Sequence, residues 1–353
     1  MRGKKLKVLV TLICIAMVFG SLVACGNGGN GGNGGNDDRN DNGAGGDTQQ
    51  QFIIQFGHVE AEGNPGYIAA EEFARVVYER SNGRLVVHTL PAGVYGGEVA
   101  MTEATSMNIL QMSTAATAVL TSYDSNFMLL DLPFLFDSRQ QSRANLDGAL
   151  GDALNELLPQ FGLISFGYQC NGLRHITNNI RPIHAPDDLN GIMMRVMESP
   201  VFIEMFRLLG ANPIPMSFTE VYMALAQGTV DGQENGPALV YTTRFFEVQR
   251  YYSLTGHVHS TNIVMMSADF YNNLPADLQQ IVREEARRIL VLEQREIMAN
   301  LEDIFLERLI EEGMIVNEIT PENMLLFMEA VLPMQDYFKG EHVEERFFDL
   351  IER

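Results

Sequence analysis

PADLQQIVREEARRILVLEQREIMANLEDIFLERLIEE (residues 275–312) runs for 38 residues with no glycine and with proline only at its first position. A proline there is tolerated, because the N–H it lacks has no partner in a first helical turn. Leu278, Ile281, Val282, Ala286, Ile289, Leu290, Leu292 and Ile297, then Leu301, Ile304, Phe305 and Leu309, keep one apolar stripe at helical spacing. At the usual rise per residue the stretch predicts a helix of about 57 Å. One lobe of a chain this size is only about 30–35 Å across. The helix therefore reads as a strut laid over two lobes; the other reading is a pair of helices that break near residues 298–300.

The sequence before the strut alternates between short apolar runs and helical periodicity. Residues 51–59, 84–90, 109–113 and 163–170 read as strands; 66–81, 98–107 and 138–161 read as helices. The pattern restarts after Gly172, with strands at 192–197, 251–258 and 262–268 and helices at 200–209 and 218–227. Such alternation means an α/β architecture with βαβ units and a largely parallel sheet, and two runs of it mean two lobes. The length of 353 residues and the 46% hydrophobic content agree, since a domain takes about 100–200 residues.

Lys+Arg total 24 against 45 Asp+Glu, a formal charge of -21. That balance excludes nucleic acid as a partner, because a basic face must displace phosphate counterions. Three of the lysines, Lys4, Lys5 and Lys7, cluster with Arg2 ahead of an apolar run at 8–23. The run is shorter than the ~20 residues of a membrane span, and it fits an export signal over residues 1–24. Leu22-Val23-Ala24-Cys25 resembles a bacterial lipobox, so Cys25 is the expected lipidation site. GNGGNGGNGGNDDRNDNGAGG (26–46) is too poor in apolar residues to order itself, so residues 25–50 are expected to act as a lipidated, flexible tether. The expected location is extracytoplasmic, anchored on the outer face of the cell membrane or periplasmic. Cys170 alone then remains in the body, which leaves no disulfide and no cysteine-based zinc site.

No catalytic signature is present: no phosphate loop, no Rossmann glycine fingerprint, no Gly-x-Ser-x-Gly and no His-Glu-x-x-His. His257 and His259 share a strand face but lack a third ligand, so no metal and no cofactor are expected. Three segments carry unusual chemistry. YQCNGLRHI (168–176) places Arg174 after a strand and a turn at Asn171-Gly172. DDLNGIMMRVM (187–197) sets Arg195 inside an apolar strand, where it needs solvent or a partner. PMSFTEVYMALAQGTVDGQENGP (215–237) runs from a helix into a strand ending Gln233-Glu234-Asn235.

Taken in order, NGLRHITN, DDLNGIMMRV, MSFTEVYMALAQGTVDGQENG and LPADLQQIVREEA resemble the substrate-binding subunits of tripartite ATP-independent periplasmic (TRAP) transporters, of the DctP type. The resemblance covers the body from about residue 52 onward. It implies an α/β, two-lobed periplasmic-binding-protein-like fold with a long helix spanning both lobes, and crossings near Gly172 and Ser260. The lobes would then be 51–171 with 261–299, and 172–260 with 300–353. It also implies a binding protein rather than an enzyme, which holds an organic acid in the interlobe cleft as a monomer and delivers it to a TRAP membrane permease. A receptor for an ATP-driven importer and a secreted carboxylate-acting enzyme are the alternatives.

By the same resemblance, Arg195 pairs with the ligand carboxylate, assisted by Arg174 and Asn235. A guanidinium offers two parallel donors to a carboxylate, where lysine offers a point charge. His58, Glu60, Glu98, Ser113 and Thr114 fall at strand and helix ends facing the cleft and are further candidates. The GHVEA segment (57–61) and Ser113 differ from the sialic-acid-binding members, which carry an acid at the latter position. A hydroxylated sugar acid or a C4-dicarboxylate remains, and His58 and Glu60, as partners for hydroxyls, lean toward the sugar acid.

Overall fold

A computed structural model describes residues 50–353; the expected signal, Cys25 and the tether up to residue 49 lie outside the described residues. Nine strands form one sheet in the order β2-β1-β3-β8-β4-β7-β5-β6, with β9 beside β8. They are β1 (Phe52–Gly57), β2 (Leu85–Leu90), β3 (Met112–Ala116), β4 (Leu163–Asn178), β5 (Met193–Val196), β6 (Asn212–Pro215), β7 (Gly232–Asn235), β8 (Tyr251–Ser267) and β9 (Ile315–Glu318). Within each lobe the βαβ pairings are parallel: β1 with β2 and β3, and β5 with β6 and β7. The junction is different. There β4 and β8 run antiparallel to each other and to β3 and β7, so the sheet is mixed rather than largely parallel.

The two crossings fall on β4 and β8, which sequence reading divides into shorter pieces. The glycines explain the difference. Gly172, at φ +86°, sits inside β4 and not in a turn that ends it, and the register against β8 shifts between Cys170 and Leu173. A bulge of this kind bends a strand without ending it. Likewise Gly256, at φ +54°, lies within β8.

The strut is continuous: Ala276–Glu285 and Gln294–Glu311 are α-helical, and Ala286–Glu293 between them is a π-helix. No break occurs at 298–300. Pro275 precedes the first turn as its N-cap. The π segment re-phases the apolar stripe: Val291 and Met298 are buried, whereas Leu292 and Ile304 face solvent. Side chains of the strut grip β4 at the crossing. Arg295 Nε donates to the Tyr168 carbonyl at 2.9 Å, Gln294 brackets both backbone groups of Cys170, and Leu173 N–H donates to Glu302 at 2.9 Å.

The largest apolar core joins residues 115–163 to 176–211 and 327–347, so it passes beneath the expected boundary at 171. A second core packs helix Pro65–Arg80 and the front of the strut on β1 and β3. Asn64 caps that helix by accepting from Gly66 N–H at 2.8 Å, with Pro65 in its first turn. Helix content at 138–161 divides at Gly148 into Arg139–Asp147 and Ala149–Asn155.

Candidate functional site

Segments that follow parallel strands of both lobes meet in one place, and strand ends of this kind are the usual place for a ligand in open α/β sheets. β1 delivers His58 and Glu60, β5 carries Arg195, β6 leads to Met216–Thr219, and β7 ends at Glu234 and Asn235. The lobes touch there. Phe218 packs with Val59, Met101 and Leu110 of the first lobe, and Asn64 Nδ2 donates to Thr242 Oγ1 at 3.5 Å.

The two arginines have different surroundings. Arg174 is buried and its guanidinium is occupied: Nε and Nη2 donate to the Glu234 carboxylate, Nη2 to the Glu234 carbonyl at 2.7 Å, and Nη1 to Ser260 Oγ at 3.0 Å. Burial works to raise the Glu234 pKa, but the charge and hydrogen bonds of Arg174, with those of His257, bring it down to about 2. The pair is thus an internal zwitterion with little net charge. Arg195 has no such partner. Its Nε and Nη2 donate to the Met216 carbonyl at 2.9 and 2.7 Å, a neutral acceptor. Burial depresses its pKa to about 10, against the pull of Glu234 and Glu98, so it stays cationic at neutral pH. The side-on edge of the guanidinium is taken; the end-on edge, Nη1 with the second hydrogen of Nη2, remains for an anion.

Asn235, the third residue implied by the resemblance, is buried and donates from Nδ2 to Gln233 Oε1 at 2.6 Å. Glu98 heads the helix Glu98–Ser106 and accepts from Ala116 N–H at 2.8 Å. Burial raises its pKa to about 7, with Glu60 adding to the rise and the Ala116 hydrogen bond, Arg195 and Arg174 opposing it. Ser113 turns the other way. Its Oγ accepts from Thr105 Oγ1 at 2.9 Å, toward that same helix. Thr114 is buried on the neighbouring position of β3.

The first-lobe wall holds a cluster of polar atoms without partners. His58 and Glu60 are 1% and 2% exposed. His58 Nδ1 lies 3.1 Å from Glu60 Oε2 but off line for a hydrogen bond, and both ring nitrogens and Oε2 are unsatisfied. Asn262, on β8, donates to Glu60 Oε1 at 2.8 Å and leaves its own Oδ1 without a donor. Sequence reading missed Asn262, Glu234 and the Met216 carbonyl. Glu234 sits beside Asn235 in the quoted segment, in the short polar strand Gly232–Asn235, whose four residues are all buried; a buried acid there needs a cation. His257, 3.3 Å from Glu234 at Nε2, belongs to this network, and among the described residues no group of His, Cys, Asp or Glu forms a metal site.

The family model for bacterial extracellular solute-binding proteins, family 7 (DctP), matches residues 56–341. The 2,3-diketo-L-gulonate-binding periplasmic protein of Escherichia coli is 32% identical over 72% of this chain and 80% of its own. The sugar acid binding protein of Advenella mimigardefordensis, solved with galactonate, superposes with a TM-score of 0.83 at 33% identity, covering 86% of this chain and 97% of that one. A TRAP solute-binding protein of Sulfurospirillum deleyianum with bound succinate gives 0.82 at 28% identity, covering 86% and 100%.

Proposed function

Since this chain belongs to bacterial extracellular solute-binding protein family 7, the TRAP solute-binding proteins, we propose that its solute is a singly charged, hydroxylated sugar acid gripped between Arg195 and the His58–Glu60–Asn262 wall. As a family member it is a transport receptor for small organic acids and not an enzyme, and its relatives are periplasmic partners of TRAP permeases. No helix among the described residues is long and apolar enough to cross a membrane.

Charge supports the choice of solute. Arg174 is neutralised by Glu234, so Arg195 is the cation left for a carboxylate. A second carboxylate would lie against Glu60, where like charge disfavours it. Hydroxyls suit that wall, because each can donate to Glu60 Oε2 or Asn262 Oδ1 and accept from His58. The relatives that bind galactonate, D-erythronate and glucuronate match this pattern; the succinate-binding relatives carry the rival reading. Asn235 and Arg174 act behind Arg195, orienting the wall. Glu98 and Thr114 line the rim, while Ser113 is tied to its helix.

Thermal-shift screening of the purified protein against galactonate, gluconate and glucuronate, beside succinate and malate, tests the proposal. Stabilisation by a sugar acid is the expected result, and a response to dicarboxylates alone overturns it. The LVAC segment ahead of the glycine-rich stretch supports a lipid anchor on the outer face of the membrane. Detergent-phase partition of the parent, lost in Cys25→Ser, is the expected outcome for the anchor.

A further inference from the structure

Gly93 and Gly97 lie in the turn ahead of helix Glu98–Ser106, facing residues 216–219 across the cleft. Gly93 has φ +66°, which asks for glycine wherever the lobes stand. Gly97 is different. Its φ of -70° and ψ of 170° suit any residue, and at an N-cap it forgoes the side-chain bond that Ser, Thr or Asp would supply. The reason for glycine lies in the other lobe. A Cβ at position 97 would stand 2.4 Å from Ser217 Oγ, 3.6 Å from Ser217 Cβ and 3.9 Å from Thr219 Oγ1. Its nearest neighbours therefore all sit across the cleft. The same short segment holds Arg195 through the Met216 carbonyl, and its Phe218 ring lies 5.9 Å from that guanidinium while packing against the first lobe.

We propose that Gly97 determines how far the cleft closes: its bare backbone lets Ser217, the residue after the Arg195-holding carbonyl, seat against the first lobe. A side chain at 97 holds the cleft ajar. The added atoms oppose only the closed state, so their cost is read as lost solute affinity and not as lost fold stability. Alanine is opposed by a hydroxyl that can turn aside; a β-branched residue meets the Ser217 Cβ as well. This holds for any anion that needs both walls, whether or not it is the sugar acid proposed above.

Gly97→Thr separates the two roles of the position, because threonine is a good N-cap and yet fills the contact. With galactonate as the calorimetric probe, its Kd is expected to rise about tenfold or more, while the melting temperature of the unliganded protein stays level or rises. Gly97→Ala should raise Kd by about threefold, and adding Ser217→Gly should return it to the parent value, a rescue that a capping role would not give. An unchanged Kd in Gly97→Thr overturns the proposal. A second experiment needs no ligand. In Gly97→Cys/Ser217→Cys the Cβ atoms stand near 3.6 Å, inside the roughly 3.5–4.5 Å that a disulfide spans. Mild oxidation of the full chain should join 97 to 217, shown by the mass of the linked peptide, and reduce the radius of gyration. A folded protein that resists this cross-link also overturns it. If the parent does not bind galactonate, the sugar-acid reading is decided by the full screen above, and the cross-link decides the closure contact alone.

Discussion

The second-lobe wall of the cleft and the first-lobe wall draw on the same side chains, carboxylates, imidazoles and amides, and treat them in opposite ways. Around Arg174 the groups complete one another: Glu234 accepts from the guanidinium, His257 stands against the same carboxylate, and Ser260 takes a further donor. Around His58 they do not, and two ring nitrogens, Glu60 Oε2 and Asn262 Oδ1 are buried without partners. A buried polar group left unmade costs about 1–3 kcal/mol. The difference teaches where recognition resides. On the function proposed above, the self-satisfied wall is scaffold with one uncompensated cation, Arg195, on its face, and the unsatisfied wall takes its hydrogen bonds from the solute.

The largest expected effect tests the scaffold side. Glu234→Ala strands the buried Arg174 charge and should lower unfolding free energy by about 3–5 kcal/mol in chemical denaturation, whereas Arg174→Met with Glu234→Leu should lose much less. A loss below about 1 kcal/mol in the single variant would remove the contrast between the walls. Next, Arg195→Ala should weaken sugar-acid binding about 100-fold or more, since two charge-assisted hydrogen bonds contribute ~1.5–3 kcal/mol each. Arg195→Lys should bind nearly as poorly, measured by calorimetry, because a lysine can neither hold the Met216 carbonyl twice nor present two parallel donors.

On the other wall, His58→Phe removes two unpartnered nitrogens at similar size. Its Kd should rise about tenfold, with the unliganded melting temperature unchanged or higher; a fall in that melting temperature would mean His58 is satisfied after all. The smallest effect is on pH. Burial raises Glu98 and Asp131 to about 7, with the Ser199 hydroxyl opposing the rise at Asp131. The native state then holds these protons more tightly than the unfolded chain does. Their contribution is present in full below the ordinary carboxylate range and lost as pH rises toward 7. Unliganded melting temperature should therefore decline between about pH 5 and 8, and Glu98→Gln should flatten part of that decline.

The strut and the order of strands and helices were legible because periodicity over long stretches survives any tertiary context. The crossings near Gly172 and Ser260 were implied by the family motifs; β4 and β8 are the long strands at the middle of the sheet that contain those residues. The strand lengths were not legible. Gly172 and Gly256 look like stops, yet ladder pairing carries β4 and β8 through them. The π turn at Ala286–Glu293 leaves no composition signal, so Leu292 and Ile304 were counted in a buried stripe they do not join. Motif order singled out Arg174 and Arg195 as candidates but not their difference. That depends on Glu234, 60 residues from Arg174, and on a backbone carbonyl, which no side-chain pattern records. Asn262 lay hidden for the same reason, being placed by pairing with Ala116 and Gln169.

The central position of β8 has a consequence for how the chain is made. It lies between β3 and β4 in the sheet, although it spans residues 251–267 in sequence. Neither lobe can complete its sheet until that strand has emerged, with most of the chain already synthesised. Contacts this distant in sequence close slowly. For the greater part of its synthesis the polypeptide therefore has no finished lobe.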